Sequence, residues 1–392
     1  MASNDGGRTA TQAKRTSAPA GVRDSRPAAP TGARATAPRQ RATARGGGAA
    51  RVSSSRTTSG ATTGGARHDR AAPSRAPATR PTPRPAGTRA AGTRAAAAAA
   101  AARDGHPSER RMVRFDWSGT PAHWVPGDPF TSHVINVLHL LLPPGERWFI
   151  RVVKEALPHV KDPAVREAVE PFVLQESWHA WAHRVVLDHL ADKGVDTEPF
   201  TEALERYLQR FGSDIPSLPE PARRLWLLQR LAAVAAIEHF TAVLGQWVLQ
   251  TQGLDNAGAD PVMLDLLRWH GAEEVEHRSL VFDVFDDLSG GYATRALAML
   301  FAAPALTWWW VRGVQYLMAR DPATGGARPK WPDWLRSARQ FRLPGPWTLL
   351  VTTPLRYLRP GHHPSGEASS DLAAAYLSRS PAATAARAAG AA

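Results

Sequence analysis

Two short stretches of the sequence each place a glutamate three residues before a histidine. The stretch "LQESWHAWAH" contains Glu176 and His179, and "WHGAEEVEHR" contains Glu274 and His277. On a helix, side chains three residues apart lie about 60° apart around the axis, so both members of each pair project from one face. A carboxylate and an imidazole that share a face form a donor set for a divalent transition metal.

Two further glutamates complete a pattern known from dinuclear metal sites. Glu238 is the single charged residue of the apolar stretch 231–249, which supplies no lysine or arginine to neutralise it. A buried carboxylate needs a cation or a hydrogen-bonding partner, because ionised groups are costly to remove from water. Glu146 follows Pro143 and Pro144 in "PPGERWF". One Glu from each of two helices and a Glu-x-x-His from each of two others build a dimetal site inside a four-helix bundle.

The chemistry of such a site is that of two divalent cations. Four carboxylates balance their charge and bridge them, while the imidazoles leave coordination positions open for a reactant. Mixed oxygen and nitrogen ligation favours iron, with manganese and zinc as the alternatives. The chain has no cysteine, which excludes disulfides, thiolate-bound zinc and cysteine-bound iron–sulfur clusters. We therefore predict two divalent metal ions as the cofactor.

Two more histidines lie one helical turn from a predicted ligand. His183 follows His179 by four residues, and His270 precedes Glu274 by four. Each is open to three interpretations: a third imidazole ligand, a hydrogen-bonding partner of a ligand, or a histidine of the core. The candidate metal ligands are therefore Glu146, Glu176, His179, Glu238, Glu274, His277, His270 and His183.

Two neighbouring glutamates are predicted to stay outside the metal site. Glu273 and Glu276 point away from the helix face that carries Glu274 and His277, toward solvent or toward outer partners of the ligands. A Ser-His-Asp order, a phosphate-binding loop and a nucleotide-binding glycine pattern are all missing from the sequence. The sequence therefore points to no catalytic residue beyond the metal ligands.

Apolar periodicity predicts helices throughout the folded part and no strand. Proline and glycine clusters separate the helices, and Pro143–Pro144 is predicted to divide two of them. Glu146 to Glu176 and Glu238 to Glu274 are 30 and 36 residues apart, which suits two antiparallel hairpins joined by a longer crossover. The predicted fold class is all-α, a ferritin-like four-helix bundle with extra helices. The predicted helices span 133–142, 145–157, 163–193, 199–212, 220–251, 260–287 and 292–320.

The first 111 residues differ in composition from the rest. Residues 1–111 contain no Leu, Ile, Phe, Tyr or Trp, and they carry 21 basic against 5 acidic residues, a net charge of +16. The remaining 27 basic and 30 acidic residues give 112–392 a net charge of −3. A segment so poor in apolar side chains cannot offset its conformational entropy, so this basic tail is predicted to be disordered. We place a ferritin-like metal-binding domain at 112–365 and a low-complexity C-terminal tail, expected to fray, at 366–392.

The basic tail and one apolar stretch suggest the partners. The tail is expected to make weak, non-specific contact with nucleic acid or an anionic membrane, or to be a solvated extension without a partner; a transit peptide is a further alternative. The stretch "ALAMLFAAPALTWWWV" predicts a helix that packs on the domain, associates into a homodimer, or touches a membrane interface through Trp308, Trp309 and Trp310. The chain shows no apolar signal sequence, so we expect a cytoplasmic location, with a peripheral membrane location as the alternative.

Longer stretches of the sequence resemble a known family. "PPGERWF", "QESWHAWAH", "IEHFTAVLG" and "WHGAEEVEHRSLVFDVF", with the upstream "FDWSGTPAHWVPGDPFTSHVINVLHLLLPPGERWF", resemble the bacterial predicted metal-dependent hydrolases over residues 112–365. The family name implies hydrolysis, in which a metal ion lowers the pKa of a water molecule. His270, Glu274 and His277, spaced H-x-x-x-E-x-x-H, are also similar to the fourth helix of the p-aminobenzoate N-oxygenases, which implies dioxygen activation by two ferrous ions.

These features predict an enzyme that acts on a small, apolar molecule. Oxygen-activating chemistry, as an oxidase or oxygenase with an electron donor as a further partner, is the preferred interpretation. Metal-dependent hydrolysis is the alternative. Metal storage or binding without turnover is the second alternative, although storage proteins of this fold form cages that a 111-residue tail would obstruct.

Overall fold

The computed structural model describes residues 111–390, and regular secondary structure within that range is entirely helical. This confirms the all-α prediction. The predicted disorder of the basic tail concerns residues outside the described range, apart from Arg111. The longer helices are α1 (Pro129–Ala156), α2 (Pro163–Asp192), α3 (Glu198–Gly212), α4 (Glu220–Gln250), α5 (Pro261–His277), α6 (Leu280–Asp287), α7 (Tyr292–Arg320), α8 (Trp331–Phe341), α9 (Ser370–Arg379) and α10 (Pro381–Gly390).

Apolar side chains pack in two clusters, and the long helices pass from one cluster to the other. α1 runs from the first cluster, at Leu140, to the second, at Val152, and α2 returns from the second, at Phe172, to the first, at Leu187. α4 also runs from the second cluster to the first, and α5 followed by α6 returns. α1 and α2 are therefore antiparallel, as are α4 and α5. The crossover between α2 and α4 contains α3.

α4 and α5 approach so closely that only glycine fits where they touch. A Cβ added to Gly245 would overlap the carbonyl oxygen of Gly271, and one added to Gly271 would lie 2.8 Å from the Cα of Gly245. Real Cβ atoms do not approach backbone atoms within 3.0 Å, so either substitution would push the helices apart. Gly271 is directly adjacent to His270. The contact therefore fixes the distance between the backbones that carry two of the predicted glutamate ligands.

Helix α1 continues through Pro143 and Pro144, so the predicted break there is wrong. Each proline removes one hydrogen bond of the helix. Both prolines are buried, and so are the flanking Leu142 and Trp148. Helices in proteins gain most of their stability from packing of the apolar face, and this burial offsets the lost hydrogen bonds. Glu146 consequently lies inside a continuous helix and not in the first turn of a new one.

The predicted helix 260–287 is divided directly after His277. α5 ends at that histidine, and α6 begins three residues later. Between them, the buried guanidinium of Arg278 donates a hydrogen bond of 2.9 Å to the carbonyl oxygen of Ser365. This bond ties the turn to a distant part of the chain, which periodicity within one segment cannot reveal.

The C-terminal segment, expected to fray at 366–392, is helical over 370–390. α9 packs against α5. There, Asp265 accepts hydrogen bonds of 2.7 Å from the hydroxyl groups of Tyr376 and Ser380. The expectation of fraying was wrong for this part, because alanine is the best helix former and three polar side chains anchor the segment to α5.

Candidate metal centre

Seven side chains from four helices meet in the layer between the two apolar clusters. None is more than 5% exposed to solvent. α1 and α4 contribute one glutamate each, α2 contributes a Glu-x-x-His pair, and α5 contributes a histidine followed by a Glu-x-x-His pair. We call this set the metal cluster; it consists of Glu146, Glu176, His179, Glu238, His270, Glu274 and His277.

The metal cluster contains two overlapping groups of potential ligand atoms. In each group, one atom from every residue lies within 4.8 Å of the others. Both groups include His179 and Glu274, so these two residues lie between two potential cation positions. The first group adds Glu146 and His270, and the second adds Glu176 and His277.

The polar atoms of the cluster are close together but poorly bonded to one another. His277 Nδ1 lies 2.7 Å from Glu176 Oε1, and His270 Nε2 lies 2.9 Å from Glu274 Oε1. Despite these distances, neither nitrogen has the orientation of a hydrogen bond. Within residues 111–390, both carboxylate oxygens of Glu238 also have no hydrogen-bonding partner. Buried polar atoms normally have partners, so a group of unpaired ones facing a common centre fits a bound cation.

Glu238 belongs to neither group of potential ligand atoms, but its carboxyl group interacts electrostatically with three glutamates of the cluster. Burial raises the pKa of its carboxyl group well above the usual value, and the nearby Glu274, Glu176 and Glu146 raise it further. Glu176 behaves similarly, since burial and then repulsion from Glu274 raise its pKa. Without cations, burial and mutual repulsion therefore favour the protonated forms of Glu238 and Glu176.

Glu274 and the imidazoles beside it behave in the opposite way. Burial opposes ionisation of Glu274, but attraction to the nearby imidazoles of His270 and His179 lowers its pKa well below the usual range. Burial and His179 oppose a charge on His270, yet Glu274 and Glu146 raise the pKa of that imidazole to about 9. Without metal ions, protons on the imidazoles and carboxyl groups offset the negative charge of the cluster. Metal ions that bind there must displace these protons.

The outer nitrogen of His179 has a carboxylate partner that the sequence analysis placed elsewhere. His179 Nε2 lies 2.7 Å from Glu273 Oε2, and Trp269 donates a 3.0 Å hydrogen bond to Oε1 of the same glutamate. Arg111 bonds to that oxygen as well, also at 3.0 Å. Glu273 is fully buried, so the prediction of a solvated side chain is wrong and its alternative, an outer partner of a ligand, fits. The contact leaves His179 Nδ1 facing the cluster.

His277 is oriented in the same manner. Its Nε2 atom lies 3.0 Å from the side-chain oxygen of Gln175, which leaves Nδ1 directed at Glu176. Glu276, in contrast, lies toward the surface and forms a 3.0 Å ion pair with Arg111. This position agrees with the expected direction of Glu276 away from the cluster.

His183 lies behind His270 and outside both groups of potential ligand atoms. Its Nε2 atom is 3.1 Å from His270 Nδ1, and its Nδ1 atom is 2.7 Å from Nδ1 of His139. Burial and the adjacent imidazoles lower the pKa of His183 well below its usual value, so it is neutral. Of the three interpretations open for His183, the geometry supports a hydrogen-bonding partner. For His270 it supports a ligand, because Nε2 faces Glu274 and Glu146.

Sequence reasoning missed two residues of this surrounding layer, Gln175 and His139. His139 precedes Glu146 by seven residues, which is two helical turns, so the shared helix face was a usable signal. Gln175 offered none, because it meets its histidine across a helix interface.

A cavity of about 550 Å³ lies beside the metal cluster, between α1, α3, α4 and α7. Its lining is almost wholly apolar and aromatic. A narrow pocket of about 30 Å³ reaches His270 and Glu274 and shares part of its wall with the cavity. The residues common to both are Leu138, Leu142, Thr241 and Leu244. These side chains therefore face both the apolar cavity and the pocket at the metal cluster.

A third histidine and carboxylate group lies where α7 ends. Asp321 Oδ2 is 2.5 Å from His123 Nε2 and 2.8 Å from His133 Nε2. The other oxygen of Asp321 accepts a 2.8 Å bond from the backbone of Ala323. We call these residues the Asp321 triad, composed of His123, His133 and Asp321. Hydrogen bonds account for its geometry, and the triad fastens the end of α7 to the start of α1.

The fold and the metal cluster can now be compared with known proteins. The sequence matches the family model described as predicted metal-dependent hydrolase over residues 109–368, which includes every helix of the metal cluster. No curated protein and no solved structure gives a match. The match confirms the resemblance found in the sequence motifs. The chain belongs to the predicted metal-dependent hydrolase family.

Proposed function

We propose that this protein is a dinuclear metal enzyme that uses dioxygen to oxidise an apolar molecule. The observation that carries the proposal is the set of unpaired carboxylate and imidazole atoms buried beside an apolar cavity. The residues that would hold the metal ions are Glu146, Glu176, Glu238, Glu274, His179, His270 and His277. Their origin on two antiparallel helix pairs supports the ferritin-like arrangement.

The donor set suits two ferrous ions. Four carboxylates offset the charge of two divalent cations, and nitrogen and oxygen donors together favour iron over copper, with manganese and zinc as competitors. Two ferrous ions held by these residues would supply the electrons that dioxygen needs. For hydroxylation, one oxygen atom enters a C–H bond and the other leaves as water, while an external electron donor provides two electrons and solvent two protons.

The protein side chains orient the donors and exclude water. Glu273, Gln175 and His183 each bond to the outer nitrogen of one imidazole and so fix which nitrogen faces the metals. Leu138, Leu142 and Leu244 shield the cluster on its cavity side. The residues bonded to the outer nitrogens raise the basicity of the imidazoles, and the leucine side chains lower the local dielectric constant.

The surroundings favour dioxygen over water as the second reactant. Dioxygen and apolar substrates enter apolar cavities readily, whereas a hydrolase must also hold a water molecule beside the metals. In the narrow pocket, Thr241 has the only hydroxyl group, and that group already donates to the carbonyl oxygen of Glu238. The indole of Trp247 also bonds elsewhere, to the carbonyl oxygen of Phe341. Polar groups that could hold a water molecule are therefore scarce on this side.

Metal-dependent hydrolysis is the second candidate, favoured by the family description. The same seven side chains would hold zinc or manganese and activate water. The two candidates differ in the source of the oxygen atom in the product. Isotopically labelled dioxygen and labelled water therefore distinguish them.

The experiment uses full-length protein loaded with ferrous ions under anaerobic conditions. Fatty acids, alkanes and their esters are supplied with a chemical reductant, and oxygen uptake and product mass are measured. Label from dioxygen in the product supports the oxygenase. Ester cleavage with label from water, supported by zinc or manganese, supports the hydrolase and contradicts our proposal. Metal uptake without turnover, in a particle of many subunits, would indicate storage.

A further inference from the structure

Exposed apolar residues and basic residues are concentrated in one part of the chain. Of the 17 large hydrophobic side chains exposed among the described residues, 10 lie within 292–359. The same stretch has ten basic and two acidic residues, a net charge of +8. The other residues of 112–392 have 17 basic and 28 acidic residues, a net charge of −11. A segment that combines net basic charge with exposed apolar side chains is typical of contact with an anionic membrane.

Helix α7 contributes an apolar stripe to this surface. Leu300, Phe301 and Trp308 are 62%, 69% and 55% exposed, and their spacing places them along one side of the helix. α4 and α7 are both long and apolar enough to cross a membrane by length and composition. The two helices differ in burial, because 67% of the apolar 18-residue segment of α4 is buried but only 28% of the corresponding segment of α7. The apolar surface of α4 belongs to the core, whereas most of that of α7 is left uncovered by the described residues.

The apolar cavity opens beside this stripe. Phe211 of α3 and Phe301 of α7 both line the cavity and are more than half exposed, so they stand at its mouth. Tyr207 joins them: its ring centre lies 5.1 Å from that of Phe211 and 5.6 Å from that of Trp309. An aromatic rim thus connects the exposed stripe with the cavity interior. We call the stripe and the rim together the apolar face.

We propose that the apolar face docks on an anionic lipid surface and that the apolar substrate passes from the lipid through the aromatic rim into the cavity. Docking stands without the metal chemistry, whereas substrate delivery rests on the proposed function. A second copy of the chain is a poorer occupant. In a two-fold dimer it would bring two segments of net charge +8 together and cover the mouth of the cavity.

The absence of cysteine from the sequence allows a direct test with single labelled positions. Full-length Leu300→Cys carries an environment-sensitive fluorophore on the apolar face. Leu174→Cys, on α2 and 37% exposed, is the matched control. Because both proteins keep the basic tail, binding through the tail affects them equally.

Vesicles of phosphatidylcholine with phosphatidylglycerol should blue-shift and brighten the label at position 300 and leave that at 174 nearly unchanged. Vesicles of phosphatidylcholine alone should give a much smaller response. Equal responses at both positions would overturn the docking. A second outcome would also overturn the docking: without vesicles, the label at position 300 responds increasingly as the protein concentration rises, and the measured mass doubles. That result would show that a second copy of the chain covers the apolar face.

A double variant tests the consequence for binding and delivery. Leu300→Glu with Trp308→Glu should lower vesicle binding in flotation by at least about tenfold, with circular dichroism and metal content unchanged. Leu174→Glu should bind as the wild type does. Wild-type flotation of the double variant would overturn the docking.

Oxidation of vesicle-borne substrate completes the test. The double variant should oxidise it several-fold more slowly than the wild type and oxidise detergent-dispersed substrate at the wild-type rate. Equal rates on vesicles would overturn the delivery and leave the proposed function intact. A wild type that docks but oxidises neither form would contradict the proposed function and leave the docking intact.

Discussion

The metal cluster and the Asp321 triad are both buried groups of histidines and carboxylates, but they differ in how many atoms lack a partner. Among the described residues, the metal cluster leaves ten buried side-chain atoms without a hydrogen bond, whereas the triad leaves one, His133 Nδ1. The residue types are the same. Unpaired atoms and not composition therefore distinguish a cation site from a hydrogen-bonded group.

Exchanging a carboxylate for an amide of nearly equal shape should give the largest effect in the metal cluster. Glu238→Gln is expected to lose at least one of two metal ions per chain, because it removes an anion that balances the cations. The apo form should be at least as stable as the wild-type apo form, since the cost of burying and protonating this carboxyl group at neutral pH is gone. Metal analysis and melting curves with and without metal measure both. Unchanged metal content would contradict the assignment.

Substitution of His270 and of His183 should have smaller effects on metal binding, and the two effects should differ. His270→Ala is expected to lose or weaken one metal ion and keep the other. His183→Ala should retain both at saturating metal, with the affinity reduced about 10–100-fold, because it only orients His270. Metal titrations of the two variants give stoichiometry and affinity separately. Loss of a metal ion from His183→Ala alone would reverse the two roles.

The same carboxylate exchange in the Asp321 triad should change stability and not metal content. Asp321→Asn is expected to reduce the free energy of unfolding by about 1–3 kcal/mol, because the two imidazoles lose a charged acceptor. Denaturant unfolding of metal-loaded protein measures the loss. A variant that also released metal would break the distinction between the two clusters.

The effect of Asp321→Asn should also depend on pH. Burial opposes ionisation of Asp321, but hydrogen bonds from His133 and His123 lower its pKa below the reference value of 3.8. A group with a lowered folded pKa stabilises the protein above its unfolded pKa, and the contribution is lost as pH falls through the folded value. The difference between wild type and variant should therefore shrink as pH falls below about 4. A difference that persisted undiminished in strong acid would contradict the ionised state.

The smallest change is expected for Glu276→Ala. Glu276 lies two residues from Glu274 but points away from the cluster, and its partner Arg111 keeps a second carboxylate in Glu273. Metal content and affinity should equal those of the wild type. If Glu276→Ala stripped metal while Glu274→Ala kept it, the helix register assigned to α5 would be wrong.

The sequence predicted the features that depend on spacing along one helix. The positions of Glu176 and His179, and of Glu274 and His277, follow from the helical repeat, and Glu238 is conspicuous in its apolar stretch. Spacing along one helix does not predict contacts between helices. Gln175 and Glu273 find their histidines only when α2 and α5 pack together, and the continuity of α1 through its prolines depends on burial by the rest of the fold.

The contact between Gly245 and Gly271 has a mechanical consequence for the metal cluster. Backbone atoms already touch there, so α4 and α5 cannot move closer when cations draw the carboxylates together. The one glycine of α1, Gly145, makes no such contact with α4 or α5. If the metal cluster contracts on metal loading, we expect α4 and α5 to keep their separation and α1 and α2 to move toward them.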